Sequence, residues 1–83
     1  MYGYGEFKVI LKEVGKDRIA VIRVLREATA LTVSEAAELL ERAPVTVKEG
    51  LTEEDADSIR KRFAEAGATA QVEKERIAGV DYV

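Results

Sequence analysis

Arg18-Ile19-Ala20-Val21-Ile22-Arg23-Val24-Leu25-Arg26-Glu27-Ala28-Thr29 decides the fold, because this stretch, wound as a helix, has two different faces. At about 100° per residue, Val21, Val24, Leu25 and Ala28 gather on one side, while Ile19, Ile22, Arg23 and Arg26 gather roughly opposite. The first face can fill a core. The second sets two β-branched apolar side chains among guanidinium groups, which points to a docking surface. The competing readings are an ordinary solvated helix face, or a face covered by a third layer or an oligomer contact.

Towards the N-terminus, Glu6 to Lys12 alternates, with Phe7, Val9 and Leu11 on one side and Lys8, Ile10 and Lys12 on the other, the pattern of a strand with one buried face. Gly15 breaks it, and Asp17 is placed to cap the helix, which is predicted to run to about Thr29. Towards the C-terminus, Thr32-Val33-Ser34-Glu35 has the form of a capping box and opens a second helix ending near Arg42. Its apolar stripe is read as Val33, Ala36, Ala37 and Leu40, and Glu35, Glu38 and Glu41 give it an acidic outer face. Pro44 stops it. Val45 to Glu49 reads as a short strand and Gly50 as a turn. Thr52 caps a third helix with Glu53, Glu54 and Asp55 in its first turn and Arg60, Lys61 and Arg62 in its last turns, an order that complements the helix dipole. Ala56, Ile59, Phe63 and Ala66 form its buried stripe, Gly67 sits at the left-handed C′ position, and Ala68 to Glu73 alternates again as a strand. The fold class is therefore α+β: a two-layer β-α-α-β-α-β sandwich with three helices on one face of a small antiparallel sheet.

The 83 residues allow one domain with one modest core, too small to enclose a deep substrate cavity easily, which favours a binding module. The sequence has no Cys and no His, which removes disulfides, thiolate nucleophiles, the usual zinc sites and imidazole acid–base chemistry together. Ser34 and Ser58 have no base to activate them, so an enzyme is disfavoured and no cofactor is expected. No apolar run approaches the ~20 residues that span a bilayer, and the first residues lack a signal-peptide pattern, so no membrane contact and a cytoplasmic location are expected. Between Lys12 and Arg26 lie five basic residues against Glu13 and Asp17, although the whole chain carries a net charge of −3. A basic face on an acidic domain steers towards acidic protein surfaces, and less readily towards phosphates. Nucleic acid is disfavoured as a partner, since Phe7 and Phe63, the only aromatics between Gly5 and Tyr82, lie on core faces. The acidic runs Glu35/Glu38/Glu41 and Glu53/Glu54/Asp55/Asp57 could hold a hard cation, but capping and solubility explain them better and no metal is expected. Gly3-Tyr4-Gly5 precedes a strand and lacks a third glycine, so it is no phosphate loop.

Glu6-Phe7-Lys8-Val9-Ile10-Leu11-Lys12, the helix start Arg18-Ile19-Ala20-Val21-Ile22-Arg23, Glu35-Ala36, Ala43-Pro44, Val47-Lys48-Glu49-Gly50-Leu51, Asp55-Ala56 and Glu65-Ala66-Gly67-Ala68 occur in one continuous register. Over residues 6 to about 74, this pattern resembles the C-terminal domain of the bacterial ribosomal stalk protein L7/L12. The resemblance implies the same α+β fold and a role in recruiting translational GTPases through the first helix and the start of the second. Carried over, the docking positions are Arg18, Ile19, Ile22, Arg23 and Arg26. The next stretch departs from the family. Where it usually reads Gly-Leu-Gly-Leu-Lys-Glu-Ala-Lys, this chain reads Ala30-Leu31-Thr32-Val33-Ser34-Glu35-Ala36-Ala37. Two cations become Ser34 and Ala37, each loss weakening attraction to an acidic partner by a few tenths to ~1 kcal/mol, and two turn glycines become Ala30 and Thr32.

The chain thus divides into an N-terminal extension (1–5), an L7/L12 C-terminal-like domain (6–74) and a C-terminal extension (75–83). The family's N-terminal dimerisation segment and Ala/Gly-rich hinge fall outside these 83 residues. All three tyrosines, Tyr2, Tyr4 and Tyr82, lie in the extensions. Gly79 reads as a turn and Val80 to Val83 as a strand that pairs with a sheet edge of its own or another chain, against the simpler reading of disorder. Two functions compete: a stalk-type module that docks translational GTPases, and a stand-alone or engineered relative that acts as an adaptor or oligomeric unit through its extensions.

Overall fold

In the computed structural model, which describes residues 6–75, the chain runs β1 (Phe7–Glu13), α1 (Arg18–Ala28), α2 (Val33–Leu40), β2 (Val45–Leu51), α3 (Glu53–Glu65) and β3 (Thr69–Lys74). The sheet order is β2-β1-β3, with β1 antiparallel to both neighbours. β1 takes the centre, with Phe7, Val9 and Leu11 on its inner face, where Val9 and Leu11 are completely buried. β2 and β3 therefore run parallel to each other on either side of it. A parallel pair needs a crossover, which α3 supplies. The helices cover one face of the sheet, so the two-layer α+β sandwich read from the sequence is the observed architecture.

The core lies between the layers. Val21, Val24 and Leu25 of α1, Ala36 and Leu40 of α2, and Ala56 and Phe63 of α3 meet Val9, Leu11, Val47 and Leu51 of the sheet. Phe63 and Leu25 are among the largest fully buried side chains, each stabilising the fold by about 1.5–3 kcal/mol. The helix ends are closed locally. Asp17 accepts a hydrogen bond from the Ala20 amide at 3.1 Å. Thr32 and Glu35 form the reciprocal capping box, at 3.1 Å and 2.9 Å. At the end of α3, the Gly67 amide donates to Ala64 and the Ala68 amide to Phe63, both at 2.9 Å, the hydrogen-bond pair of a Schellman motif.

Two boundaries differ from expectation. α2 ends at Leu40 and not near Arg42, because the amides of Glu41, Arg42 and Ala43 bond three residues back and tighten the chain into a turn. β2 continues through Gly50 to Leu51, so Gly50 is part of an irregular strand and not a turn. Between Phe7 and Val9, two steps of β1 answer three of β2, and between Val9 and Ile10 one step answers two. Such bulges re-aim side chains. Here Lys48 reaches the helix layer, where its Nζ donates to the Ala28 carbonyl at 2.7 Å. The N-terminal extension 1–5 and the proposed strand Val80 to Val83 lie outside the described residues.

Candidate docking surface

Ile19 is 72% exposed although Val21, Val24 and Leu25 on the same helix are buried. Ile19 thus faces outward as its periodicity requires, whereas Ile22, expected on the same outer face, is half-buried and also packs against the core. Ile19, Ile22, Arg23 and Arg26 line one open groove of about 480 Å³, together with Glu27 and Val33. Four of the five residues expected to dock a partner are brought together there. Arg18 does not line the groove. Its guanidinium instead holds Glu41 at 2.8 Å, tying the start of α1 to the residue that follows α2.

Val33 was expected in the core and is 52% exposed. Val33 and Leu40 are seven residues apart, which places them within about 20° on the helical wheel but ~10 Å apart along the axis. Angular position alone assigns both to one stripe. Ala36 and Leu40 lie over the core, and Leu39 packs against it as an additional apolar contact. Val33, at the first turn of α2, joins the isoleucines of α1 and enlarges the apolar floor of the groove. Its exposure is the feature that sequence periodicity missed. Ser34 is exposed beside it, and Ala37 is half-buried.

Two cations, Arg23 and Arg26, line the same groove. Among the described residues, neither Arg23 nor Arg26 makes an ion pair. The Arg26 Nε lies 3.4 Å from the Leu31 carbonyl, a long contact that leaves most of the guanidinium open to other acceptors. Glu27 brings one carboxylate to the groove wall, and that carboxylate is paired with Arg62 of α3. On the outer side of α3, the hydrogen bonds from Arg60, and secondarily from Lys61, hold the Asp57 carboxyl below the usual carboxylate range. No polar or charged side chain is buried among the described residues. No cluster of three or more carboxylates gathers there to hold a metal ion, and no described helix is long and apolar enough to cross a membrane. The groove brings apolar side chains and two guanidinium groups together on one open surface.

Residues 7–73 match the family of the ribosomal protein L7/L12 C-terminal domain. Over 67 residues, which are 81% of this chain, the sequence is 49% identical to the large ribosomal subunit protein bL12 of Thermoanaerobacter sp. (strain X514), covering 54% of that protein. It is 51% identical to that of Lawsonia intracellularis and 49% identical to that of Aquifex aeolicus, each over 81% of this chain and 52% of the relative. The chain spans about half the length of these relatives. With the family's match running from the first strand to the last, and with the β-α-α-β-α-β order observed, the chain belongs to the ribosomal protein L7/L12 C-terminal domain family.

Proposed function

We propose that residues 6–74 form a protein-docking module of the ribosomal stalk type, which engages translational GTPases such as elongation factors through the outer face of α1 and the first turn of α2. The observation that carries this reading is the convergence of Ile19, Ile22, Val33, Arg23 and Arg26 on one groove. Ile19 begins 72% exposed and so has the most surface to remove from water on docking, with full burial of such a side chain contributing about 1.5–3 kcal/mol. The two arginines face an acidic partner and contribute less individually, about 0.2–1 kcal/mol each, but they set orientation and association rate. One helix face with a few anchors makes a small interface, of the class that exchanges quickly. The module works in the cytoplasm in this reading and performs no chemistry of its own.

Titration of the 83-residue chain with a purified elongation factor bound to a non-hydrolysable GTP analogue tests the proposal. Binding is expected to weaken with rising salt and with Arg23→Glu or Arg26→Glu. Absence of binding, or binding indifferent to both charge reversals, would overturn it.

A further inference from the structure

Glu27 lines both the docking groove and a second depression between α1, β2 and α3, to which Lys48, Asp55 and Arg62 also contribute. It follows Arg23 by four residues on α1. Side chains at that spacing are neighbours on a helix surface, so Arg23 is the local partner its carboxylate can reach. The observed partner is instead Arg62 on α3, in an ion pair whose side chains stay about half exposed. Arg62 lines the second depression and not the docking groove, and Arg23 makes no ion pair among the described residues.

From this arrangement we infer that Arg62 is a positioning residue for the docking groove. By holding the Glu27 carboxylate on the α3 side of α1, it keeps that anion from turning back along the helix onto Arg23, and it leaves the groove's cations open to an acidic partner. Arg62 does not line the groove. Its effect passes through one competition: Glu27 binds either Arg62 or Arg23. The inference rests on the docking reading above and adds that the charge of the groove is set from a different helix.

The experiment titrates the unaltered chain and its variants with the same GTP-analogue-bound elongation factor. Arg62→Gln is expected to weaken docking by about two- to fivefold, the range of an exposed ion pair formed in competition. Lys61→Gln, which changes net charge equally but leaves Glu27 paired, is expected to leave affinity near that of the unaltered chain. In a Glu27→Gln chain, adding Arg62→Gln is expected to change affinity no further, since no anion remains to occupy Arg23. The Arg23 Nε–Hε resonance supplies a second readout: it shifts in Arg62→Gln before any partner is added and returns in the double variant. Equal weakening by Arg62→Gln and Lys61→Gln, or an Arg62→Gln effect undiminished in the Glu27→Gln chain, overturns the inference. Arg23→Glu separates this from failure of the docking reading itself: if that reversal leaves binding unchanged, the groove does not dock the factor.

Discussion

Replacing Gly15 by alanine is expected to be the most damaging single methyl addition in this domain. Gly15 lies in the loop between β1 and α1, at φ 81°, in the left-handed region that L side chains rarely adopt. A Cβ built there would lie 2.2 Å from the Gly67 carbonyl oxygen and 3.0 Å from its carbon. Both are backbone atoms in the turn after α3, which the Schellman hydrogen bonds hold in place, so the neighbour cannot swing aside as a side chain would. The left-handed conformation costs alanine about 1–2 kcal/mol, and displacing packed backbone costs a further ~1–3 kcal/mol. The sum, about 2–5 kcal/mol, is a large share of the roughly 4–12 kcal/mol expected for a domain of this length. Urea unfolding measures it as a lowered midpoint with an unchanged slope. The melting temperature falls by on the order of 10–30 °C. Gly67→Ala is the internal control: it has a similar φ of 88° but its added Cβ meets nothing within 4 Å, so it pays the conformational cost alone. If Gly15→Ala destabilises no more than Gly67→Ala, the close approach of the two loops is refuted.

Thr32→Ala removes the side-chain acceptor of the α2 capping box and is expected to cost about 1 kcal/mol, read from the same urea midpoints. Val33→Ser is expected to change stability by under ~1 kcal/mol because the side chain is already half in water, while weakening elongation-factor binding several-fold; a core-sized stability loss would contradict its assignment to the groove. For Asp57, the folded carboxyl titrates below its unfolded value because Arg60 and Lys61 hold the charged form. Its stabilisation is therefore present above the unfolded-state pKa and is lost as pH falls through the depressed folded value. Asp57→Asn is expected to remove that part of the acid-side slope when urea midpoints are followed from neutral to strongly acidic pH.

Most of the fold is legible in the sequence because each element states its own limits. Asp17, Thr32 and Thr52 cap the three helices where expected, and Gly67 ends α3 with the hydrogen bonds its position demands. The alternation of Phe7, Val9 and Leu11 likewise fixes the inner face of β1. What escapes is information that no local pattern contains. Gly50 reads as a turn until the register with β1 makes it part of a bulged strand. Val33 reads as core because helical periodicity encodes angle and not distance along the axis, so it cannot tell that the helix's first residue is left exposed while Ala36 and Leu40 are buried. The two-sided character of α1 was visible from its residues alone, as was the clustering of Ile19, Ile22, Arg23 and Arg26. The Arg62–Glu27 pair was not, since it joins residues distant in sequence with no spacing rule between them.

The central claim, that the outer face of α1 docks a translational GTPase, is tested most directly by following the backbone amide resonances of the isotopically labelled chain during titration with a GTP-analogue-bound elongation factor. Shifts and broadening are predicted to concentrate at residues 18–26 and at Val33, and to diminish in parallel in Arg23→Glu. Perturbations confined to the open face of the sheet, around Lys8, Ile10 and Lys12, or no change at residues 18–26 at saturating factor, would contradict it.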